Sequence, residues 1–479
     1  METSARPLLV RVHPSDDVAV AVAALAAGAE ARVDGIRIAA LHDVPAGHKV
    51  ALREIAPDEP VRKYGFPIGV ATEPIAPGGW VHSHNLRTAL SGTLEYRWNG
   101  EGTNRQGTGD RGQGTAGDGA ASIVIPTFDG YRRATGRVGT RNEVWIVNTV
   151  GCVNTAADRI ARMATERFAG ATDGVFSFSH PYGCSQLGDD LENTQKVLAG
   201  LLRHPNAGGV LVLGLGCENN QLHELLALAG EVDASRIRFF NTQDVVDEVE
   251  EGIDAVEELV RAMEGDRRTA VPASELILGH KCGGSDGFSG ITANPLLGRV
   301  ADRLTSMGGG VILTEVPEMF GAEQVLMARA ADESVFRDVV AMVNDFKDYF
   351  LRHGQPVYEN PSPGNKAGGL TTLEEKSLGA IQKGGRATVT RVLRYGQAVT
   401  SGALSLLEAP GNDGVSSTAM VASGATLLLF TTGRGTPLGF PVPTLKVSSN
   451  TAIAQKKPHW IDFNAGALLD GEATLESLA

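Results

Sequence analysis

The chain has few cysteines and no excess of positive charge, and each shortage argues against a class of protein. Its four cysteines are widely separated, which argues against a disulfide framework and against a zinc finger, where ligands stand about two to four residues apart. Lys and Arg number 43 against 56 Asp and Glu, and the net charge of −13 argues against nucleic acid and anionic membranes as partners. An acidic substrate would therefore need a local cluster of cations or a metal ion.

Long apolar runs are also missing. Residues 18–27 are apolar but too short to span a bilayer, and residues 1–7 lead into no signal-peptide core. We therefore predict a cytoplasmic protein with no membrane partner and with reduced thiols.

Two sequence signatures of common enzyme classes are absent or broken. The chain has no GK[ST] sequence of a P-loop. Gly214-Leu215-Gly216 begins like a dinucleotide fingerprint, but Asn219 stands where the third glycine belongs. A nicotinamide oxidoreductase remains an alternative class that these residues support only weakly.

Short apolar runs are plentiful, and each ends in a reactive or anion-handling residue. The seven runs are 145–150, 175–179, 210–213, 276–278, 311–313, 404–407 and 427–430. Segments with apolar residues at helical spacing lie among them, at 155–168, 190–202, 220–229, 244–263, 295–307 and 333–353. This alternation predicts an α/β fold with a mostly parallel sheet and helices on both faces, with ligands at the carboxyl ends of the strands.

The chain divides into three regions by composition. Residues 7–92 contain a helix-like segment at 17–27 and three turn phrases with Pro (43–47, 54–58 and 74–78), which predict a small β domain. Residues 93–122 are rich in Gly and poor in apolar residues, which predicts a flexible linker. Residues 123–479 form the α/β region, with room for two subdomains.

Candidate metal ligands follow several predicted strands. Cys152, Cys184, Cys217 and Cys282 each follow an apolar run and stand beside glycine. Thiolates suit iron and iron–sulfur clusters, although a small buried cysteine also fills a tight turn well. Oxygen ligands are offered by Asp286, Glu315 and Glu318.

Candidate acid–base and anion-binding groups lie elsewhere on the chain. His82 and His84 share one face of a predicted strand and could bind a metal or move a proton, or could be ordinary surface histidines. Lys366 lies in a polar Gly-rich loop, and Arg434 follows the last apolar run, where a bidentate contact with a carboxylate would be natural.

Long motifs recur along the whole chain, at 63–69, 82–85, 141–145, 150–154, 180–188, 214–221, 282–297, 314–323, 358–369 and 433–437. From end to end these motifs resemble those of the altronate/galactarate dehydratase family. The resemblance implies an iron-dependent hydro-lyase with an N-terminal SAF (β-clip) domain, a Rossmann-related catalytic region and a homodimeric assembly. The family reaction removes water from D-altronate to give 2-dehydro-3-deoxy-D-gluconate in hexuronate breakdown, and galactarate is the alternative substrate.

The residues and the resemblance together give a hypothesis for the site. The catalytic candidates are His82, His84 and Lys366, and the substrate-binding candidates are Asn85, Asn365 and Arg434. The metal candidates are Cys152, Cys184, Cys217, Cys282, Asp286, Glu315 and Glu318. The expected cofactor is Fe²⁺, with Mn²⁺ or an iron–sulfur cluster held by three of the four cysteines as alternatives. A sugar-acid binding protein with no turnover is the rival outside enzymes.

Overall fold

The computed structural model describes residues 7–98, 125–400 and 402–479. The small N-terminal domain consists of short strands: β1 (Leu9–Val10), β2 (Val18–Ala21), β3 (Glu30–Val33), β4 (Ile36–Ala39), β5 (Lys49–Ala51), β6 (Pro60–Lys63), β7 (Phe66–Ala71), β8 (Trp80–Val81) and β9 (Leu86–Arg87). They pair antiparallel in three sheets, β1-β2-β5-β8, β3-β4 and β6-β7-β9. The predicted small β domain is confirmed, and the three turn phrases are turns.

The helix predicted at 17–27 is wrong. Residues Val18–Ala21 form β2, which pairs with β1 and β5, and all four are buried. A strand that is buried on both faces is apolar at every position, so its sequence loses the alternation that separates a strand from a helix.

Part of the predicted linker packs against the large region. The Tyr96 hydroxyl donates a hydrogen bond to Glu323, and the Trp98 ring lies 5.3 Å from that of Phe336. Residues 99–122, the remainder of that segment, lie outside the described residues.

The large region begins with three antiparallel strands, β10 (Thr127–Arg132), β11 (Val138–Gly139) and β16 (Thr269–Pro272). A four-stranded parallel sheet follows in the order β13-β12-β14-β15, made of β12 (Glu143–Asn148), β13 (Val175–Phe178), β14 (Ala207–Gly214) and β15 (Ile237–Asn241). Its helices are α1 (Asn154–Arg167), α2 (Gly188–Leu202), α3 (Leu222–Ala229) and α4 (Glu248–Met263). Helices α1 and α4 pack on one face and α2 and α3 on the other, as the apolar clusters show.

A second, seven-stranded parallel sheet has the order β19-β20-β18-β17-β21-β22-β23. Its strands are β17 (Ile277–Cys282), β18 (Gly310–Leu313), β19 (Val389–Leu393), β20 (Ala403–Leu407), β21 (Leu427–Thr432), β22 (Thr444–Ser448) and β23 (Phe463–Asn464). The helices of this part are α5 (Ala293–Ser306), α6 (Glu323–Met327), α7 (Glu333–Arg352), α8 (Pro363–Ala367), α9 (Leu373–Ala380), α10 (Asp413–Ala422), α11 (Thr451–Lys456), α12 (Ala467–Asp470) and α13 (Leu475–Leu478).

The predicted α/β fold is confirmed, and all seven apolar runs are parallel strands. They lie in two sheets rather than one, because an apolar run does not specify its neighbour. Helices α2 and α10 lie between the sheets and share one apolar core with both. Among the described helices, none is long and apolar enough to cross a membrane.

Candidate active site

Three potential metal ligands meet at the carboxyl ends of β17 and β18. Cys282 ends β17, and Glu315 and Glu318 follow β18. One donor atom from each lies within 4.8 Å of the others, and all three residues are buried. The described residues thus contain a group able to hold a metal ion.

Three buried lysines contact the same three side chains. Lys383 Nζ lies 2.7 Å from Cys282 Sγ, and Lys376 Nζ lies 2.8 Å from Glu318 Oε1. Lys281 Nζ lies 2.6 Å from Glu315 and 2.6 Å from Asp413. Each of the three potential ligands therefore already has a lysine partner, and a metal ion would have to compete with three ammonium groups.

Burial changes the acid–base properties of this cluster. It raises the pKa of Cys282 to about 11 and, with help from the Glu318 charge, raises the pKa of Glu315. Burial alone would also raise the pKa of Glu318, but the charges of Lys376 and Lys281 outweigh this effect and lower the pKa. Neighbouring carboxyl groups with opposite shifts are typical of acid–base sites.

Glu315 also has an unusual backbone. Its φ of 66° and ψ of 67° lie in the left-handed region, which a residue with a Cβ rarely adopts. Hydrogen bonds from Val316 N to Ala409 O and from Glu318 N to Glu315 O hold the turn. The strained turn directs the Glu315 side chain toward Lys281, and such strain is concentrated at functional sites.

The small N-terminal domain contacts the large region through a buried cluster of charged side chains. Lys49 Nζ and Lys63 Nζ each lie 2.8 Å from a different oxygen of Glu375, and all three side chains are excluded from solvent. Glu375 lies in α9, in which all eight residues are buried. Sequence reasoning missed Lys49, Lys63, Lys281, Glu375, Lys376 and Lys383, because charged residues in a polar-looking segment predict an exposed surface.

Of the two predicted histidines, His82 contacts the large region and His84 packs within the small domain. His82 Nε2 lies 2.9 Å from the backbone oxygen of Lys366, and the His82 ring stacks on His48 at 4.9 Å. Burial lowers the pKa of His82 and lowers that of His48 to about 4. The His84 ring lies 5.1 Å from Trp80. His48 is a further residue that the sequence did not single out.

Three of the predicted site residues are engaged in holding loops. Asn85 binds the backbone of Trp80 and His82. Asn365 accepts a hydrogen bond from the Ser362 hydroxyl at the start of α8 and donates to Ser285 O. The Asp286 carboxylate accepts from Ser289, Ser449 and Asn450, among others. Asp286 therefore lies outside the group of Cys282, Glu315 and Glu318 and fixes the loop after β17.

Two predicted cations border that loop. Gly368 and Gly433, which are close neighbours of Lys366 and Arg434 in the chain, approach Asp286 so closely that an added Cβ would contact it. In the described part of the chain, neither the Lys366 nor the Arg434 side chain has a hydrogen-bond or ion-pair partner. Both charges are available to an anionic ligand.

The other three cysteines meet at the carboxyl ends of three neighbouring strands. Cys152, Cys184 and Cys217 follow β12, β13 and β14, respectively. The Sγ atoms of Cys152 and Cys184 are 3.6 Å apart, and Gln243 Nε2 donates to Cys217 Sγ at 3.6 Å. Cys152, followed by burial and Cys217, raises the pKa of Cys184 to about 11. No lysine or arginine contact with these thiols occurs among the described residues.

Tyr182, two residues before Cys184, is a neighbour of Tyr395, which follows β19 of the other sheet. Burial and then this neighbour raise the pKa of Tyr395 to about 12.

Comparison with known proteins agrees with this architecture. Three family profiles match: the altronate/galactarate dehydratase SAF domain (7–89), the D-galactarate dehydratase/altronate hydrolase second domain (130–264) and the D-galactarate/altronate dehydratase C-terminal domain (273–479). Altronate dehydratase of Bacillus subtilis is 49% identical over 97% of this chain and 91% of its own. Altronate dehydratase of Escherichia coli is 51% identical over the same shares, and galactarate dehydratase (L-threo-forming) of E. coli is 33% identical over 98% and 90%.

The fold and the site are thus those of an α/β enzyme. The chain belongs to the altronate/galactarate dehydratase family, which confirms the resemblance seen in its sequence motifs and the expectation of a hydro-lyase.

Proposed function

We propose that this enzyme dehydrates D-altronate to 2-dehydro-3-deoxy-D-gluconate. The observation that carries the proposal is the level of identity, about one half over 97% of the chain with two altronate dehydratases against one third with galactarate dehydratase. The protein acts as a homodimer in the cytoplasm, and the domains are residues 7–92 and 123–479, joined by a linker. Galactarate or another sugar acid is the alternative substrate.

The proposed cofactor is iron held by Cys152, Cys184 and Cys217 as an iron–sulfur cluster. These three thiols, the thiol trio, fit an iron–sulfur cluster, because soft sulfur ligands from three neighbouring strands meet there. Among the described residues, no cation contacts them and competes with the iron. The group of Cys282, Glu315 and Glu318 suits mononuclear Fe²⁺ or Mn²⁺ less well, since each of its side chains already contacts a lysine. Bound iron would supply Lewis acidity for the hydroxy-acid end of the substrate.

The chain itself supplies the proton transfers and the charge for the substrate. Elimination needs a base for the C2 proton and an acid for the C3 hydroxyl, and these roles fall to the buried cluster of Glu315, Lys281 and Lys383 together with His82 and His84. Lys366 and Arg434 bind the substrate carboxylate, because both cations lack a partner among the described residues and border the same loop. Full turnover by the His82→Ala variant would remove His82 from this scheme.

Anaerobic turnover is the direct test of the function. Purified enzyme with ferrous iron and reductant should convert D-altronate to a 2-keto-3-deoxy acid, and a chelator should abolish the conversion. Absence of product from enzyme that verifiably contains iron would contradict altronate as the substrate, and galactarate would then be assayed in its place.

Replacement of one thiol should distinguish the two iron sites. We expect the Cys184→Ser variant, purified without oxygen, to lose bound iron and the brown colour of an iron–sulfur cluster, because three ligands are required. The matched control is Cys282→Ser, which should keep both. Iron content that falls only in the Cys282→Ser protein would place the metal with Glu315 and Glu318 instead.

A further inference from the structure

A cavity of about 460 Å³ lies at the end of the four-stranded sheet opposite the cysteines. Its wall is formed by the first residues of β14, the ends of α2 and α3 and the turn between β10 and β11. Strand β14 has 8 residues, and at about 3.3 Å per residue its two ends are roughly 25 Å apart. The cavity is therefore separate from the candidate active site.

Arginines dominate the lining of this cavity. Five face it, namely Arg132, Arg133, Arg137, Arg203 and Arg236, against the three carboxylates of Glu231, Asp233 and Asp266. Arg132 pairs with Glu275 outside the cavity. Arg133 and Arg236 share one carboxylate, that of Asp266, at 3.1 and 2.8 Å. These contacts account for three of the five cations.

Arg137 and Arg203 have no such partner. In the described part of the chain, neither guanidinium makes a hydrogen bond or an ion pair, and Arg203 Nε is buried without a partner. The two groups are close enough that Arg137 adds to the effect of burial in lowering the pKa of Arg203. Two like charges at a half-buried wall, one of them with an unsatisfied donor, are unfavourable unless an anion joins them.

The end of a helix explains only one of the pair. Arg203 is the C-cap of α2, where the partial negative charge of the helix terminus favours a cation. Arg137 lies in the turn before β11 and has no helix end of its own. Its position beside a second guanidinium is typical of a site for an oxyanion, to which each guanidinium can donate two parallel hydrogen bonds.

We propose that this cavity is a binding site for a small molecule that carries a phosphate or carboxylate group, held by Arg137 and Arg203. The volume lies within the range of small-molecule sites, roughly 300–1,000 Å³. The site stands apart from the reacting groups, so its ligand binds without taking part in the dehydration. The proposal does not depend on which sugar acid is the substrate.

Calorimetric titration of the full-length enzyme tests the proposal, with inorganic phosphate as one probe and citrate as the other. We expect at least one probe to bind, and the Arg137→Gln/Arg203→Gln double variant to weaken that binding by about tenfold or more. The matched control is Arg238→Gln, which removes a partly exposed arginine paired with Glu258 and should leave the binding unchanged. The stronger probe identifies which of the two anion chemistries the site prefers.

Three results would overturn the proposal. They are no binding of either probe to the wild-type enzyme, unchanged binding to the double variant, or an equal loss in the Arg238→Gln control. Solution mass and thermal midpoint are measured on every variant. If the wild-type enzyme binds neither probe and the double variant changes its oligomeric state, the proposal is replaced by another: a carboxylate of a second copy fills the cavity.

Discussion

Replacing Glu375 by glutamine should lower the free energy of unfolding by about 3–5 kcal/mol. The substitution leaves Lys49 and Lys63 buried with no carboxylate between them. Their desolvation is then no longer compensated by an opposite charge, which destabilises the folded state. Chemical denaturation monitors the change. Hydrogen exchange in β5 and β6 should rise at the same time, since these strands carry the two lysines.

A surface pair provides the control for this first prediction. Glu333 lies 2.7 Å from Arg337, and both side chains are mostly exposed, so Glu333→Gln should change stability by less than about 1 kcal/mol. Equal effects of the two substitutions would contradict the assigned role of Glu375.

The same triad predicts how stability depends on pH. Although burial alone would raise it, Lys49 and Lys63 lower the pKa of Glu375 well below its usual value of 4.5. A carboxyl group whose pKa is lowered in the folded state stabilises that state at pH values above the usual pKa of 4.5. This contribution is lost progressively as the pH falls from 4.5 toward the lowered pKa. Stability of the wild-type enzyme should therefore decline below about pH 4.5, and the part of the decline due to this group should be absent from Glu375→Gln.

The second large effect is expected on turnover, from Glu315→Gln. The amide has nearly the same shape as the carboxylate but cannot accept a proton or neutralise Lys281. We expect kcat to fall by about 100- to 10,000-fold, the range for loss of an acid–base group. Iron content should stay at the wild-type level, because the proposed iron ligands are the three thiols on the other sheet.

Glu143 offers a matched control for this substitution. It is buried like Glu315, and burial raises its pKa to about 7, but it begins β12 and binds Trp145 Nε1. Glu143→Gln should therefore turn over at close to the wild-type rate. A thermal melt of each variant separates loss of catalysis from loss of fold, and a Glu315→Gln enzyme that turns over normally would contradict the role of Glu315.

The strand-end residues could be predicted because local sequence specifies them. Cys282 and Glu315 each follow a short apolar run, and such a run forms a buried strand wherever it pairs. A residue just beyond a parallel strand must lie at the carboxyl edge of its sheet, so its general position follows from the chain alone. The small β domain was predictable on similar grounds, since its Pro- and Gly-containing turns are local structures.

Charged residues in the core could not be predicted, because their burial depends on distant partners. Segment 373–380 looks like an exposed helix, yet Glu375 in it meets Lys49 and Lys63 from another domain. Pairing of this kind joins residues more than 300 positions apart and leaves no periodic trace in the sequence. The error at 17–27 has a related cause, because a fully buried strand has no polar face.

The amino-acid sequence by itself determined the α/β class, the family and the residues that follow each strand, since apolar patterns and turn residues act over a few neighbouring positions. Only the tertiary structure decided which strands share a sheet. It brought Cys152, Cys184 and Cys217 together and left Cys282 among lysines and glutamates. Pairing partners are selected by packing and charge across the whole chain, and that selection exists only once the chain is folded.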